Sequence, residues 1–519
     1  MDAPAADRQI ARAASVVMVG MALSSIAGLA TTILVSSAFG TGAQIDAFYA
    51  ANRLTEILFN LMAGGALASA FVPTFTGFLA RKDSLGAWRL ASSVGNLALL
   101  ALTVAAALAW GGGPWLVRHV LAPGFTDPLQ VSLTVSLLRV MLLSSIVFGV
   151  SGLLMGVLNA HQHFALPALA PASYRLGWIL GLVLLVPRWG IHGLAWGVVL
   201  GSLLHFLIQL PGLRGLEARY HARLGLEDAA TREVGRLMAP RLLGVAVVQL
   251  NFLVNTNLAS RMAEGSLTAI TQAFTLMIMP QALIAQATAI AALPTLSAQV
   301  ALGQMAEMRA TLAKTLRGVL FLALPASLGL VVLRRPIVEL ALERGAFGSG
   351  STDLVAWALL WYGAGLVGHS LLEIAARAFY SLHDTRTPVL VGTAAMSLNV
   401  VFSLGFAALF PRLGWAPHGG LALANSLATA LECLTLLLIL RRRLGGLDLN
   451  RMRRGVLATL GAAGVMGVLL LLWLQVVEEA SGWVSGGVGV LLGVGVYWSL
   501  AWTLGAPEAR QMPALVLRR

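Results

Sequence analysis

Long apolar stretches dominate this sequence and leave few folds open to it. A helix needs about 20 apolar residues to cross the hydrocarbon core of a bilayer. About fourteen stretches of this kind follow one another along the 519 residues, with approximate limits 15–40, 46–80, 87–110, 130–159, 164–186, 191–212, 236–262, 266–300, 313–334, 353–382, 388–410, 418–441, 454–476 and 483–505. The pattern predicts an all-α polytopic membrane protein with about 14 transmembrane helices.

The composition excludes the soluble classes of protein. Only 11% of the residues are charged and 58% are hydrophobic, whereas about a quarter of the residues in a soluble domain are charged. The single cysteine, Cys433, leaves no disulfide framework and no cysteine metal site. Arg8 and Arg12 precede an apolar run without a cleavage signal, so we expect an uncleaved first helix.

Sequence motifs of the common enzyme classes are absent. The chain has no G-x-S-x-G, Walker A, H-E-x-x-H or C-x-x-C pattern. His161 and His163 have no acidic or thiol residue beside them that would complete a metal site. We therefore expect a transporter that is not an enzyme, needs no cofactor or metal, and draws on an ion gradient, the membrane potential or downhill flow of its cargo.

The basic residues are concentrated on one side of the predicted membrane. With fourteen spans both termini lie on the same side, and placing them in the cytoplasm puts 23 of the 35 lysines and arginines there, as the positive-inside rule requires. Five arginines remain inside spans: Arg53, Arg139, Arg175, Arg241 and Arg377. We expect the net charge of +13 to face anionic lipid and not nucleic acid.

Three pairs of residues indicate an internal repeat. The members of each pair are 221 or 222 residues apart and occupy the same place relative to the spans: Pro73 with Pro294, Phe125 with Phe347, and Pro167 with Pro388. Spans one to six and seven to twelve are therefore predicted to be two copies of a six-helix unit. Because six is an even number, the copies are parallel, and we expect them to form two lobes around a central cavity.

The repeat divides the chain into three predicted regions. Residues 1–222 form the N-terminal lobe, 223–445 the C-terminal lobe, and 446–519 the two additional C-terminal helices. Gly489 and Gly493, in the last span, have the spacing of small residues that allows close helix contact.

The second span carries a stripe of polar residues. Asp46, Tyr49, Arg53, Glu56 and Asn60 recur every three or four residues, which places them on one helical face. Two interpretations are open. The stripe lines a cavity, in which case Asn60 and the flexible pair 64–65 carry polarity deep into the span. Alternatively it is a mutually satisfied network in which Arg53 bridges Asp46 or Glu56 near the membrane surface.

Three further spans carry polar side chains that are costly in hydrocarbon: Arg241, Gln249, Asn251 and Asn255 in span seven, Glu373 and Arg377 in span ten, and Glu432 in span twelve. The span-ten residues have the four-residue spacing of a self-contained ion pair. The span-seven residues either face a cavity or bond to neighbouring helices. Glu432 has no partner near it in the sequence.

Several stretches make the chain resemble a known family. They are 46–54 (DAFYAANRL), 70–73 (AFVP), 158–171 (LNAHQHFALPALAP), 249–256 (QLNFLVNT), 343–347 (ERGAF) and 376–389 (ARAFYSLHDTRTPV). They resemble the MurJ (MviN) family, the lipid II flippases of the multidrug/oligosaccharidyl-lipid/polysaccharide exporter superfamily. The resemblance covers both repeats and the two extra C-terminal spans.

The resemblance implies a V-shaped, two-lobed monomer in the bacterial inner membrane. Its partners would be membrane lipids and its cargo, lipid II or a similar polyprenyl glycolipid, which arginines in the cavity would bind by its pyrophosphate. Asp46 and the basic Arg53 are retained, whereas Ser25, Thr31, Phe59 and Thr275 stand where the family has arginines.

Those substitutions leave two alternatives to lipid II transport open. One is an exporter of another cargo, with Asp46 or Glu56 as the ion-coupling carboxylate. The other is a membrane scaffold that does not transport.

Overall fold

The computed structural model describes residues 3–62, 66–447, 449–477 and 482–510, and these residues form helices and turns without any strand. Within them, thirteen helices are long and apolar enough to cross a membrane. They coincide with every predicted span except the second. The all-α, multi-pass fold is therefore confirmed.

The second predicted span is two helices, α2 (Ala43–Met62) and α3 (Ala66–Ala80). Helix α2 is not counted among the thirteen because Asp46, Arg53 and Glu56 make it too polar. The Gly-Gly pair at 64–65, which we expected to provide flexibility, lies outside the described residues.

The chain folds into two compact units, Met1–Glu264 and Gly265–Arg519. The other helices of the first unit are α1 (Ala3–Phe39), α4 (Ser84–Gly111), α5 (Gly113–Leu116), α6 (Pro128–Ala160), α7 (Ala165–Leu180), α8 (Val186–Trp189), α9 (Ile191–Leu207) and α10 (Ala229–Ser260). Helix α6 packs against α2, α4 and α9, and α7 packs against α1 and α9. Helix α10 packs on α2 and α3.

The second unit contains α11 (Ser266–Gln281), α12 (Ala287–Ala301), α13 (Met305–Val332), α14 (Arg334–Leu342), α15 (Ser349–Ser381), α16 (Arg386–Arg412), α17 (His418–Arg443), α18 (Leu449–Val476) and α19 (Gly489–Thr503). Helix α15 is central and packs on α13 and α17, while α18 packs on α13 and α19. Gly493 of α19 approaches Leu470 of α18: a Cβ atom there would lie 3.3 Å from a Leu470 methyl carbon.

Helix bounds recur along the chain at a constant interval of 221 residues. The pairs are α3 with α12, α4 with α13, and α6 with α15. The turn after α6 and the turn after α15 also correspond, because Gln162 and His383 are both left-handed, with φ of 61° and 60°. The first compact unit extends through Glu264 and includes α10, which the repeat assigns to the second lobe. The boundaries at 222/223 and 445/446 stay predictions about the duplication.

Glycines bring α7 and α9 of the first unit into backbone contact. A Cβ atom on Gly177 would lie 2.1 Å from Cα of Gly201, and one on Gly181 would lie 2.4 Å from Cα of Gly197. Each pair of glycines on one helix is four residues apart, which is the small-residue spacing of close helix pairs in membranes. This contact fixes α7, and with it Tyr174 and Trp178, against the core around α2.

Candidate functional site

The polar face of α2 is the feature from which the site is built. Asp46 lies in the first turn of α2, where its negative charge stabilises the positive end of the helix dipole. Ala47, Phe48 and Ala51 are fully buried in the core of the first unit. Their burial fixes the rotation of α2 and so turns the polar residues to one side.

Arg53 and Glu56 form the centre of this polar face. Nη1 of Arg53 lies 2.7 Å from Oε2 of Glu56, and Nδ2 of Asn52 donates a hydrogen bond of 2.8 Å to Oε1 of the same carboxylate. Nδ2 of Asn60 donates to the main-chain carbonyl of Glu56 at 2.9 Å. Of the two carboxylates that the sequence offered as partners for Arg53, Glu56 is the one in the ion pair.

Helix α10 supplies the other contacts of Arg53. Nε of Arg53 donates to Oγ1 of Thr256 at 3.1 Å, and the guanidinium lies 5.3 Å from the centre of the Phe252 ring. We call Asn52, Arg53, Glu56, Phe252 and Thr256 the Arg53 cluster. All five residues belong to the first compact unit.

The two charges of the cluster differ in exposure. The Arg53 side chain is 15% exposed and the Glu56 side chain 43%. The contacts to Thr256 and Glu56 use Nε and Nη1 of Arg53, and a guanidinium has five N–H donors. An incoming anion can therefore bind at Nη2 beside Glu56, or displace the Glu56 carboxylate from Nη1.

Two predicted site residues on α1 are occupied with their own helix. Oγ of Ser25 donates to the main-chain oxygen of Met21 at 2.9 Å and is exposed. Oγ1 of Thr31, which is buried, donates to the main-chain oxygen of Ala27 at 2.8 Å. Both are polar without carrying charge.

At the two other positions where the resemblance implies an arginine, the side chains are also uncharged. The ring of Phe59 packs on Phe148, with ring centres 4.4 Å apart. Oγ1 of Thr275 in α11 donates to the main-chain oxygen of Thr271 at 2.9 Å.

The polar residues of α10 that the sequence singled out differ in exposure. Gln249, Asn251 and Asn255 are buried, whereas Arg241 is exposed.

Glu373 and Arg377 form the expected ion pair on α15, in the second unit. Nη2 of Arg377 lies 3.6 Å from Oε2 of Glu373, and its guanidinium lies 5.7 Å from the ring centre of Tyr380. Both side chains are about a quarter exposed, at 27% and 25%. The four-residue spacing thus gives a local pair.

The turn between α15 and α16 holds a charged group of its own. The main-chain N–H of Thr387 donates to Oδ1 of Asp384 at 2.9 Å, the Thr387 hydroxyl donates to Oδ2 at 2.6 Å, and Arg443 at the end of α17 pairs with the same oxygen. These contacts lower the pKa of Asp384 to about 2, and the hydrogen bond from the Thr387 hydroxyl has the largest effect. The arrangement ties the start of α16 to the end of α17.

Asn52, Phe252 and Thr256 are site residues that the sequence did not predict. Thr256 and Phe252 lie in the stretch 249–256 that carries the family likeness, and that was the only signal pointing to them. Asn52 faces Glu56 because four residues make about one helical turn. It was missed because the stripe predicted from the sequence runs through Asp46, Tyr49 and Arg53, and Asn52 does not belong to that stripe.

The sequence model of the lipid II flippase MurJ family matches residues 35–487. The chain belongs to this family. A lipid II flippase MurJ of Burkholderia cenocepacia is 33% identical over 427 residues, which cover 81% of this chain and 82% of the relative. A probable lipid II flippase MurJ of Rhizobium tropici is 30% identical over 503 residues, 93% of this chain and 92% of the relative.

Two solved transporter structures share the fold of this chain. A lipid II flippase MurJ in an inward closed conformation aligns with a TM-score of 0.80 at 23% identity, over 93% of this chain and 97% of that one. An inward-facing multidrug resistance MATE transporter of the MOP superfamily aligns with a TM-score of 0.69 at 15% identity, over 83% and 99%. The MurJ-family member described here thus has the fold of the exporter superfamily that its sequence resembles.

Proposed function

We propose that this protein is a lipid II flippase, which moves polyprenyl-pyrophosphate-linked peptidoglycan precursor from the inner to the outer leaflet of the bacterial cytoplasmic membrane by alternating access. The observation that carries the proposal is the family match over residues 35–487, which includes the whole Arg53 cluster. A pyrophosphate head group is rejected by hydrocarbon. Moving it requires charged and polar side chains within the spans, and Asp46, Arg53 and Asn60 supply them.

The remaining features of the proposal concern how the protein works in the membrane. It acts as a monomer, without hydrolysing nucleotide, and both termini lie in the cytoplasm. The excess of arginines on one side of the spans supports this orientation. That Ser25, Thr31, Thr275 and the polar residues of α2, α10 and α15 line one cavity stays a prediction.

Two measurements test the proposal. Purified protein in vesicles is expected to move lipid II between leaflets faster than protein-free vesicles do, and the gene is expected to sustain growth of a bacterium depleted of its own flippase. Normal membrane insertion without lipid II movement would overturn the proposal.

A second candidate function is export of a different cargo. It is favoured by Ser25, Thr31, Phe59 and Thr275, which give the family's arginine positions no positive charge. Asp46 or Glu56 would then couple export to an ion gradient. If Asp46→Asn leaves gradient-driven export unchanged, Asp46 does not have that role.

A further inference from the structure

A groove of about 380 Å³ lies between α1 and α7 in the first unit, closed on one side by α6. Most of its lining is apolar, but Ser24, Ser25 and Asn159 add polar side chains. The backbones of the two helices touch within it, since a Cβ atom on Gly20 would lie 2.4 Å from the carbonyl oxygen of Ala168. The groove is therefore formed by the close packing of α1 against α7.

Arg175 lies one helical turn beyond this groove. It follows Pro171 by four residues on α7, and Gly28 follows Ser24 by four residues on α1; Pro171 and Ser24 both line the groove. A Cβ atom on Gly28 would lie 3.9 Å from Nε of Arg175, which places the guanidinium directly beside α1. The groove therefore leads towards a positive charge.

Within the part of the chain that the structure describes, Arg175 is in no ion pair. Among the five in-span arginines, all of them described, Arg53 and Arg377 are in ion pairs and Arg139 donates to the main-chain oxygen of Trp110 at 3.3 Å. The guanidinium of Arg175 lies against aromatic rings, with ring-centre distances of 5.8 Å to Tyr174 and 5.5 Å to Trp178. Arg241 also has no ion pair within the described residues, but it is exposed, whereas Arg175 is half-buried.

A charged side chain in the hydrocarbon core costs free energy, and the arginines that proteins retain there typically have a function. Arg175 is ten residues into the span Ala165–Trp189, or about 15 Å along the axis, and the hydrocarbon core is about 30 Å thick. With the start of this span at the membrane surface, the phosphates of resting phospholipids lie about 15 Å from Arg175. A phosphate meets Arg175 when it is carried through the membrane.

We propose that Arg175 binds the pyrophosphate of the polyprenyl-linked cargo as it passes the middle of the membrane, with the groove between α1 and α7 accommodating the group next to it. Guanidinium recognises phosphate oxygens with paired N–H donors, and the aromatic faces of Tyr174 and Trp178 hold it without using those donors. This inference rests on the proposed flippase function.

The test compares binding of defined lipids to full-length protein in nanodiscs. The probes are lipid II, undecaprenyl pyrophosphate and phosphatidylglycerol. Arg175→Met keeps an unbranched apolar side chain against the rings and removes the charge. It is expected to weaken binding of the first two probes at least about tenfold, which corresponds to about 1.4 kcal/mol, and to leave phosphatidylglycerol binding unchanged. Arg175→Lys, which keeps the charge but loses the paired donors, is expected to lie in between.

Two further variants keep the result interpretable. Arg139→Met, the matched control on α6, is expected to bind all three probes like the wild type. Gly28→Leu keeps the charge but fills the space beside Arg175, so it is expected to weaken binding of lipid II and undecaprenyl pyrophosphate. It provides the test if Arg175→Met does not fold.

The inference is overturned if a folded Arg175→Met binds lipid II and undecaprenyl pyrophosphate like the wild type. It is also overturned if this variant loses phosphatidylglycerol binding to the same extent. If the wild type itself neither binds nor flips lipid II, the proposed function fails; if it does both and Arg175→Met is unaffected, only this inference fails.

Discussion

Arg53 and Thr256 connect two helices across 203 residues of sequence: Nε of Arg53 donates to Oγ1 of Thr256 at 3.1 Å. On its other side the same guanidinium is 2.7 Å from Glu56. Arg53 is therefore oriented from both α2 and α10, and its charge is balanced within the cluster. A side chain held in this way can exchange one anionic partner for another without first being ordered.

Replacing Arg53 tests whether this charge serves transport. Arg53→Ala is expected to lower the rate of lipid II movement in vesicles at least about tenfold, because a charge-assisted contact to the cargo contributes roughly 1.5–3 kcal/mol. The measurement is the fraction of labelled lipid II that becomes accessible at the opposite leaflet with time. Unchanged movement would show that Arg53 only stabilises the helix pair.

Thr256→Val is the matched control for that experiment. It removes the acceptor of the Nε bond and keeps the charge and the Glu56 pair. We expect a loss of about 1 kcal/mol in stability, seen as a small fall in melting temperature, and a smaller loss of lipid II movement than in Arg53→Ala, because the charge remains and only its orientation from α10 is lost.

The glycine contact between α7 and α9 gives a prediction about stability. Gly177→Ala places a methyl group 2.1 Å from Cα of Gly201, and backbone cannot move aside as a flexible side chain can. Overpacking of this kind costs about 1–3 kcal/mol, so we expect a clearly lower melting temperature in detergent. Gly464→Ala in α18 is the control, since nothing lies within 4 Å of a Cβ atom there. Similar behaviour of the two variants would contradict the prediction.

Local patterns were readable from the sequence because they depend on few residues. The four-residue spacing of Glu373 and Arg377 predicted their ion pair, and the pairs Pro73–Pro294 and Pro167–Pro388 gave the interval of 221 residues at which helix bounds recur. In each case the information is local: the helical period in the first, and the recurring position of a proline within a helix in the second.

Tertiary contacts were not readable in the same way. Nothing in the sequence pairs Arg53 with Thr256, because that bond depends on how α10 packs on α2. The left-handed turns at Gln162 and His383 were also missed, since neither residue is a glycine. Arg175 looked isolated in the sequence, and its position beside Gly28 follows only from the α1–α7 contact.

Asp384 gives a prediction about pH. Its pKa is about 2 in the folded protein, below the ordinary value of about 3.9. The folded state therefore gains stability from the carboxylate above about pH 4, and this contribution is lost as the pH falls from there towards 2. Because the loop is outside the spans, a melting-temperature series in detergent can follow it.

Asp384→Asn is the variant for that series. It is expected to melt at a lower temperature than the wild type at pH 6, because Thr387 and Arg443 then face a neutral amide instead of a carboxylate, a difference of about 1 kcal/mol. The difference is expected to shrink below pH 4. A constant difference down to pH 3 would show that the Arg443 and Thr387 contacts act through geometry and not through the charge of Asp384.

Arg317 and Glu508 form an ion pair between α13 and the residues after α19. The Glu508 side chain is only 7% exposed and that of Arg317 17%, so removing one partner leaves a charge in poorly hydrated surroundings. Glu508→Ala is expected to destabilise the protein by about 3–5 kcal/mol, whereas Arg317→Met combined with Glu508→Leu is expected to be close to neutral, because an apolar pair avoids the desolvation cost. Melting temperatures of the wild type, Arg317→Met, Glu508→Leu and the double variant decide the matter. If the double variant is as unstable as the sum of the single ones, the pair contributes through packing of each side chain, and the coupling of the two charges is absent.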